Sequence, residues 1–468
     1  MSEQEASMQP AASSPGHSVS TEAPLTNGEL LALACSIGLI PLNSTMIAVA
    51  IPAIAQDLAA TPDTLILWLV TSYLLINIVA LNPAGKMGDR WGYARMLSLG
   101  QIVFAVGSVI GFLGHTLALL ASARLLMALG GAIIVPAAMA LVRVRMPATQ
   151  RAHAFGMFGA VMGLSAAIGP LVGGEIVAYF GWSVLFLVNI FPLAIAGALS
   201  KRHTPSEEGV HPASRFDLLG SGLFGAGLVL IVIGMRSPSW WLPLIVSGFG
   251  ILLLFAWWER RAADPVVNLN LFTRREFAAG SLIIGLQNFA MYALLFELPL
   301  VFARSFGATS AETGRVLLAL TLAMVVGSIL GGRIAHKLGA RSTAILGALA
   351  ALVGGVLMAA IPLGSVQGSL VELLALGLGL GLSTPAANSA LMSAVHKGES
   401  GMASAVSSTV RYIGGIAGVA FVSIMVKHDS LLVAHQHSSV VFACALGLAL
   451  LLACIIPRKK EGGAGDIH

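Results

Sequence analysis

Apolar residues run along this chain in long unbroken stretches rather than with the one-faced period of a surface helix or the alternation of a half-buried strand. Fourteen such stretches lie near 30–54, 65–84, 97–114, 117–141, 153–177, 182–200, 217–235, 240–258, 277–302, 316–332, 342–362, 371–393, 402–426 and 438–456. Each is about 17 to 25 residues, enough to cross a hydrocarbon core of roughly 30 Å. In lipid every backbone N–H and C=O must be satisfied inside the segment, which leaves the helix as the state of such runs. The pattern therefore predicts an all-α polytopic membrane protein with fourteen transmembrane helices and no separate soluble domain.

Charge placement tests that count. With both termini on the cytoplasmic side, twenty Lys and Arg residues fall on that side, while Arg236, Arg304, Arg315 and Lys427 fall on the other. Arg124 and Arg411 remain inside spans, which accounts for all 26 basic residues. This is a positive-inside distribution, and an odd number of spans would scramble it. Only 10% of residues are charged and 57% are apolar, so the net charge of +5 reports topology; the basic residues form no patch suited to nucleic acid. Residues 1–28 lack the basic and apolar regions of a signal peptide and read as a disordered cytoplasmic tail. Cys35, Cys444 and Cys454 lie in apolar runs without CxxC spacing, so neither a disulfide framework nor a metal site is expected. No cofactor motif is present.

Two charged, glycine-punctuated segments are related. Gly85 to Arg95 reads GKMGDRWGYAR and Gly331 to Arg341 reads GGRIAHKLGAR, 246 positions later. Each is expected to be a short hairpin at the same membrane face. Span 5 (GMFGAVMGLSAAIGPLVG) matches span 13 (GMASAVSSTVRYIGGIAG) at an offset of 245: Gly156 pairs with Gly401, Met157 with Met402, Ala160 with Ala405, and Ile168-Gly169 with Ile413-Gly414. The end of span 4, VPAAMAL, resembles TPAANSAL in span 12. The expected organisation is thus a tail (1–28), a six-helix half (29–200), a linker with two extra helices (201–275), a second six-helix half (276–457) and a cytoplasmic tail (458–468).

On these motifs the chain resembles the major facilitator superfamily, in particular its fourteen-span drug:proton antiporter branch. Gly85, Lys86, Gly88, Asp89, Arg90 and Gly92 are similar to the family's signature between spans 2 and 3, which implies a role in locking the cytoplasmic gate. Gly156, Ser165, Gly169, Pro170, Gly173 and Gly174 resemble the antiporter motif of exporters, with Ser165 where Gly is usual; the resemblance implies export rather than uptake. Arg124 matches the span-4 Arg of the family, although Met127 and Ala128 stand where Gln and Gly are usual. In span 1, LNSTMIAVAIP departs from the pattern: Asn43 occupies the place of a membrane-embedded Asp, and Ala48 that of an Asn.

Ionisable groups inside a bilayer are costly and functional by default. Arg124 either faces the bundle interior or snorkels to the outer interface. Arg411 either meets an acidic partner or substrate, or orients helices through carbonyls. Since Asn43 cannot titrate, Glu297 in LLFELPL is the best placed carrier of a coupling proton, the alternative being a hydrated position near the interface. Glu175 and Glu372 are expected at interfaces. Phe289, Tyr292 and Phe296 form a stripe with Glu297 that either lines a cavity or packs. No deep His, HExxH, Walker A or catalytic triad is present, so an enzyme is not expected. The reading is a secondary active transporter of the bacterial inner membrane, exporting amphipathic small molecules by alternating access and coupled to protons. A passive facilitator or importer of a small metabolite, and a channel, are the alternatives. The substrate, protons and membrane lipid are the expected partners; a periplasmic adaptor and outer-membrane channel are not readable from the sequence.

Overall fold

A computed structural model of the chain describes residues 25–200, 217–235, 237, 239–262, 269–395, 400–425 and 430–457. Most of the expected N-terminal tail, the start of the linker and the C-terminal tail lie outside those residues. Every regular element among them is helical. Helix α1 (Asn27–Asp57) leads into α2 (Pro62–Leu65), which continues through a π-helical stretch (Ile66–Thr71) into α3 (Ser72–Trp91). There follow α4 (Tyr93–Leu113), α5 (Leu117–Arg145), α6 (Ala148–Phe180), α7 (Val184–Val188) and α8 (Ile190–Ser200). Next come α9 (Leu218–Gly234), α10 (Trp241–Glu259), α11 (Arg275–Phe306), α12 (Ser310–Ala360), α13 (Leu370–Ser393), α14 (Ser400–Met425) and α15 (Leu431–Ile455). Each apolar stretch read from the sequence falls on a helix. Among the described residues eleven helices are long and apolar enough to cross a membrane, two apolar helices are shorter, and α12 carries two of the stretches in 51 residues.

The structure corrects the two charged hairpins. Gly85 to Trp91 is the last part of α3, and the turn is a single residue, Gly92, at φ 90° and ψ 135°. In the second copy α12 runs on, and Gly339 alone is non-helical, at φ 83° and ψ 161°. Helical hydrogen bonding does not stop where hydrocarbon ends, so both helices overrun their apolar stretches. The turn then needs one residue in a region of backbone space that is nearly closed to side chains, which only glycine enters freely. The N-terminal boundary also moves. Thr26 and Glu29 form a capping box, Glu29 accepting from the Thr26 amide at 2.7 Å and Thr26 Oγ1 from the Glu29 amide at 3.3 Å. This fixes the start of α1 at Asn27, inside the expected tail.

Packing divides the helices into two groups. In the first, α1 packs on α6 and α8, and α5 on α3 and α4; in the second, α11 packs on α13, α14 and α15, and α12 on α13 and α15. They meet where α6 faces α12, α1 faces α11, and α14 faces the π stretch and α3. Helices α9 and α10 pack on each other, with α9 leaning on α3. Large apolar side chains cover the outside: Phe191, Val371 and Leu253 are 71%, 68% and 72% exposed. Water would penalise such a belt, whereas lipid matches it. The protein is membrane-embedded.

Candidate functional site

Arg124 lies on α5 and is wholly buried, at 0% exposure. It does not snorkel. Its Nε donates to the Leu69 carbonyl at 2.7 Å, its Nη1 donates to Asn43 Oδ1 on α1, and its guanidinium carbon sits 4.1 Å from the centre of the Tyr73 ring. Nη2 has no partner. The carbonyl it uses belongs to the π stretch Ile66–Thr71, a distortion found mostly at functional sites. Apolar sequence contains no mark of that distortion, and it was not expected. Asn43 therefore does what a span-1 acid would do in one respect, holding Arg124 in place, without neutralising it. Asn77, also buried, donates to the Tyr73 carbonyl of its own helix.

Arg411, on α14, forms no ion pair or hydrogen bond with a described residue, and its Nε is buried without a partner. The expected acidic partner is absent among the described residues, as are carbonyl contacts. It lies instead in electrostatic range of two phenols, Tyr292 on α11 and Tyr412 on α14. Tyr292 adjoins Ser44 of α1, and Tyr412 is in range of Tyr73. Tyr73 thus accompanies Arg124 in the first group of helices, and Tyr292 and Tyr412 accompany Arg411 in the second. The aromatic stripe splits: Phe289 packs with Phe421 and Phe442, ring centres 5.8 and 6.1 Å away, and Phe296 is 1% exposed. Only Tyr292 turns to the middle.

Glu297 is 2% exposed and thus shielded by its neighbours. His435 of α15 faces it, Nδ1 to Oε1 at 3.5 Å, and the other carboxylate oxygen of Glu297 has no partner. Glu372, 5% exposed on α13, lies in electrostatic range of the same imidazole. Glu372 lies in the first turn of α13 and His435 at the fifth residue of α15, so this buried acid–imidazole group sits near helix ends. The polar run around His435 reads as a loop end, but α15 begins at Leu431 and carries it inside. Glu175 is part-exposed and pairs with Arg315 of α12 at 2.8 Å.

The antiporter-motif residues make a two-sided seam. One side of α6 meets α1: a Cβ on Gly169 would fall 1.9 Å from Thr45 Oγ1, one on Gly173 2.9 Å from the Met46 backbone, and one on Gly38 of α1 2.8 Å from Ser165 Oγ. The other side meets α12, where a Cβ on Gly174 would lie 2.3 Å from the Ser310 carbonyl and one on Gly314 2.3 Å from that of Pro170. Thr321 of α12 donates to the Ala167 carbonyl at 2.7 Å. At about 100° per residue, Gly156, Gly159, Gly163, Ala167, Pro170 and Gly174 share this side. Yet nothing lies within 4 Å of a Cβ built on Gly156, Gly159 or Gly163. Helices α6 and α12 touch at the Gly174 end and part towards the other. In the first charged segment, Asp89 accepts from the Tyr93 phenol at 2.5 Å, rather than from Arg90 or Arg95. Gly88 leaves room for that ring, since a Cβ there would lie 2.9 Å from it. Gly85 faces Pro136 at ordinary contact distance, Lys86 is half-buried, and Arg90 is exposed.

A family model described as Major Facilitator Superfamily matches residues 33–419. The chain belongs to that superfamily. Among its relatives, the uncharacterized MFS-type transporter YvkA of Bacillus subtilis (strain 168) is 31% identical over 398 residues, covering 84% of this chain and 89% of that one. The tetracenomycin C resistance and export protein of Streptomyces glaucescens is 30% identical over 407 residues, covering 85% and 75%. A bacterial homolog of the human lysosomal transporter Spinster, solved in an inward-facing and unoccupied conformation, shares the fold with a TM-score of 0.67 at 16% identity, covering 92% of this chain and 97% of that one. The superfamily and these relatives are transporters, so this chain is a transporter and not an enzyme.

Proposed function

We propose that the chain is a proton-coupled exporter of amphipathic small molecules, a fourteen-span drug:proton antiporter working by alternating access in a bacterial inner membrane, with both termini cytoplasmic. The observation that carries the reading is the α6–α12 seam, closed by Gly174, Gly314 and Pro170 at one end and open along Gly156, Gly159 and Gly163 at the other. A side of small residues that is used at one end only is what two rocking six-helix halves require. In this arrangement the chain faces inward. Resistance and export proteins among the relatives favour outward transport over uptake. The buried Glu297–His435 pair, with one carboxylate oxygen unpartnered, supplies acceptors for the coupling proton that Asn43 cannot take. The Gly85–Gly92 segment serves as the cytoplasmic gate, and α9–α10 as the inserted hairpin.

The test is transport in proteoliposomes across a panel of amphipathic compounds, with and without an imposed pH gradient. Accumulation against a concentration gradient, accompanied by proton flux, is the expected outcome. Equilibration that ignores the pH gradient would instead identify a passive facilitator.

A further inference from the structure

Two guanidinium groups face the middle of the bundle without a carboxylate. Arg124 is held by a carbonyl, a carboxamide and a ring face, all neutral, and its Nη2 donor has no partner. Arg411 makes no ion pair with a described residue, and its Nε is likewise orphaned. The hydroxyl of Tyr73, whose ring lies against Arg124, is a third buried polar group without a partner. A guanidinium has donors only and keeps its charge. Leaving such a donor unmade in a protein interior costs about 1–3 kcal/mol or more. The buried acids do not relieve it: Glu297 and Glu372 are grouped around His435. The Tyr73 ring lies against Arg124, and α14, which carries Arg411, packs on the π stretch and on α3, which hold Leu69 and Tyr73.

We propose that this site binds the anionic head of the transported molecule, a carboxylate or similar oxyanion, between Arg124 and Arg411, with its apolar body against the tyrosine rings. The assignment rests on the exporter reading and narrows its substrate class. An oxyanion supplies the acceptors that the three orphaned groups lack. A cation would meet two like charges in a medium of low dielectric, and a neutral molecule would leave the arginines without a counter-charge. Asn43 is the residue that decides the sign: a carboxylate there would neutralise Arg124 and compete with the ligand for it.

Three dansyl probes of one skeleton separate the outcomes: an alkyl carboxylate, its methyl ester and the corresponding primary amine. Binding is read by dansyl fluorescence on the full chain in nanodiscs, and movement in proteoliposomes with an imposed pH gradient. The carboxylate is expected to bind about tenfold or more tighter than the ester, the worth of one charge-assisted hydrogen bond. Arg411→Gln should remove that preference and Arg411→Lys should keep part of it. Asn43→Asp, close in shape, should weaken the carboxylate by a similar factor and admit the amine. A carboxylate that binds no better than the ester, or a preference that survives Arg411→Gln, overturns the assignment. Gradient-driven movement of ester or amine in place of carboxylate also overturns it, and leaves the exporter reading standing. The expected preference without gradient-dependent movement does the opposite: it supports the site and removes the exporter.

Discussion

Arg124 donates to the Asn43 side chain, so a wholly buried charge is held by a neutral amide where the family resemblance places an acid. Lysine cannot reproduce this. It has no planar fork to reach Leu69 and Asn43 at once while lying on the Tyr73 ring. Arg124→Lys is therefore expected to lose transport by about tenfold or more, and Arg124→Ala to abolish it, while both insert and purify as the parent does. Full transport by a correctly inserted Arg124→Ala protein would reduce the residue to a structural support.

Glu297→Gln keeps the shape of the carboxyl and removes its proton exchange. Gradient-driven accumulation should disappear in this variant, while substrate exchange in the absence of a gradient persists. His435→Gln should weaken the coupling without abolishing it, because Glu372 lies near the same imidazole and Glu297 remains. Accumulation by Glu297→Gln with its original pH dependence would place the coupling on another group.

The helices and their apolar lengths were legible because lipid imposes a crude rule: long, apolar and uncharged. The ends were less so, since the last turns of α3 and the kink of α12 are decided by a glycine's backbone and not by where charge begins. Arg124, Glu297 and Arg411 stood out as charges in apolar runs. His435 did not, because with Gln436 and His437 it falls just before the last apolar stretch, which begins near Ser438. The π stretch is invisible in ILWLVT, where every side chain is compatible with an ordinary helix; it becomes intelligible only once Arg124 is seen taking the Leu69 carbonyl.

At the charged turn, Tyr93 reaches back over Gly88 to Asp89 across the Gly92 bend. Asp89→Asn and Tyr93→Phe both break this tie, far from Arg124 and Arg411. Each should slow turnover more than it weakens binding. Gly92→Ala should in addition lower stability by about 1–3 kcal/mol, the strain of a side chain in that region of backbone space, read as a lower melting temperature in detergent. Loss of affinity at unchanged turnover in Asp89→Asn would speak against a gating role.

The seam makes the most demanding prediction. Gly156 and Gly174 lie 18 positions apart on α6, and Gly314 and Gly332 lie 18 apart on α12, a span of about 27 Å on each helix. The helices run in opposite directions, with Gly174 beside Ser310 and Gly314 beside Pro170. Gly332 falls on the same side of α12 as Gly314 and, like Gly156, has nothing within 4 Å of a built Cβ. When the closed end opens and the halves rock, Gly156 and Gly332 are the residues that equal spacing brings together. With Cys35, Cys444 and Cys454 replaced by serine, Gly156→Cys with Gly332→Cys should form a disulfide only under cycling conditions. That bond should stop transport until it is reduced. As a reference, Glu175→Cys with Arg315→Cys should be joined at rest by a short bifunctional maleimide, since the native side chains reach each other across the α6–α12 contact. Failure of the Gly156–Gly332 pair to cross-link during active transport, with the reference pair intact, would mean that α6 and α12 do not close over this end and that the cycle uses another seam.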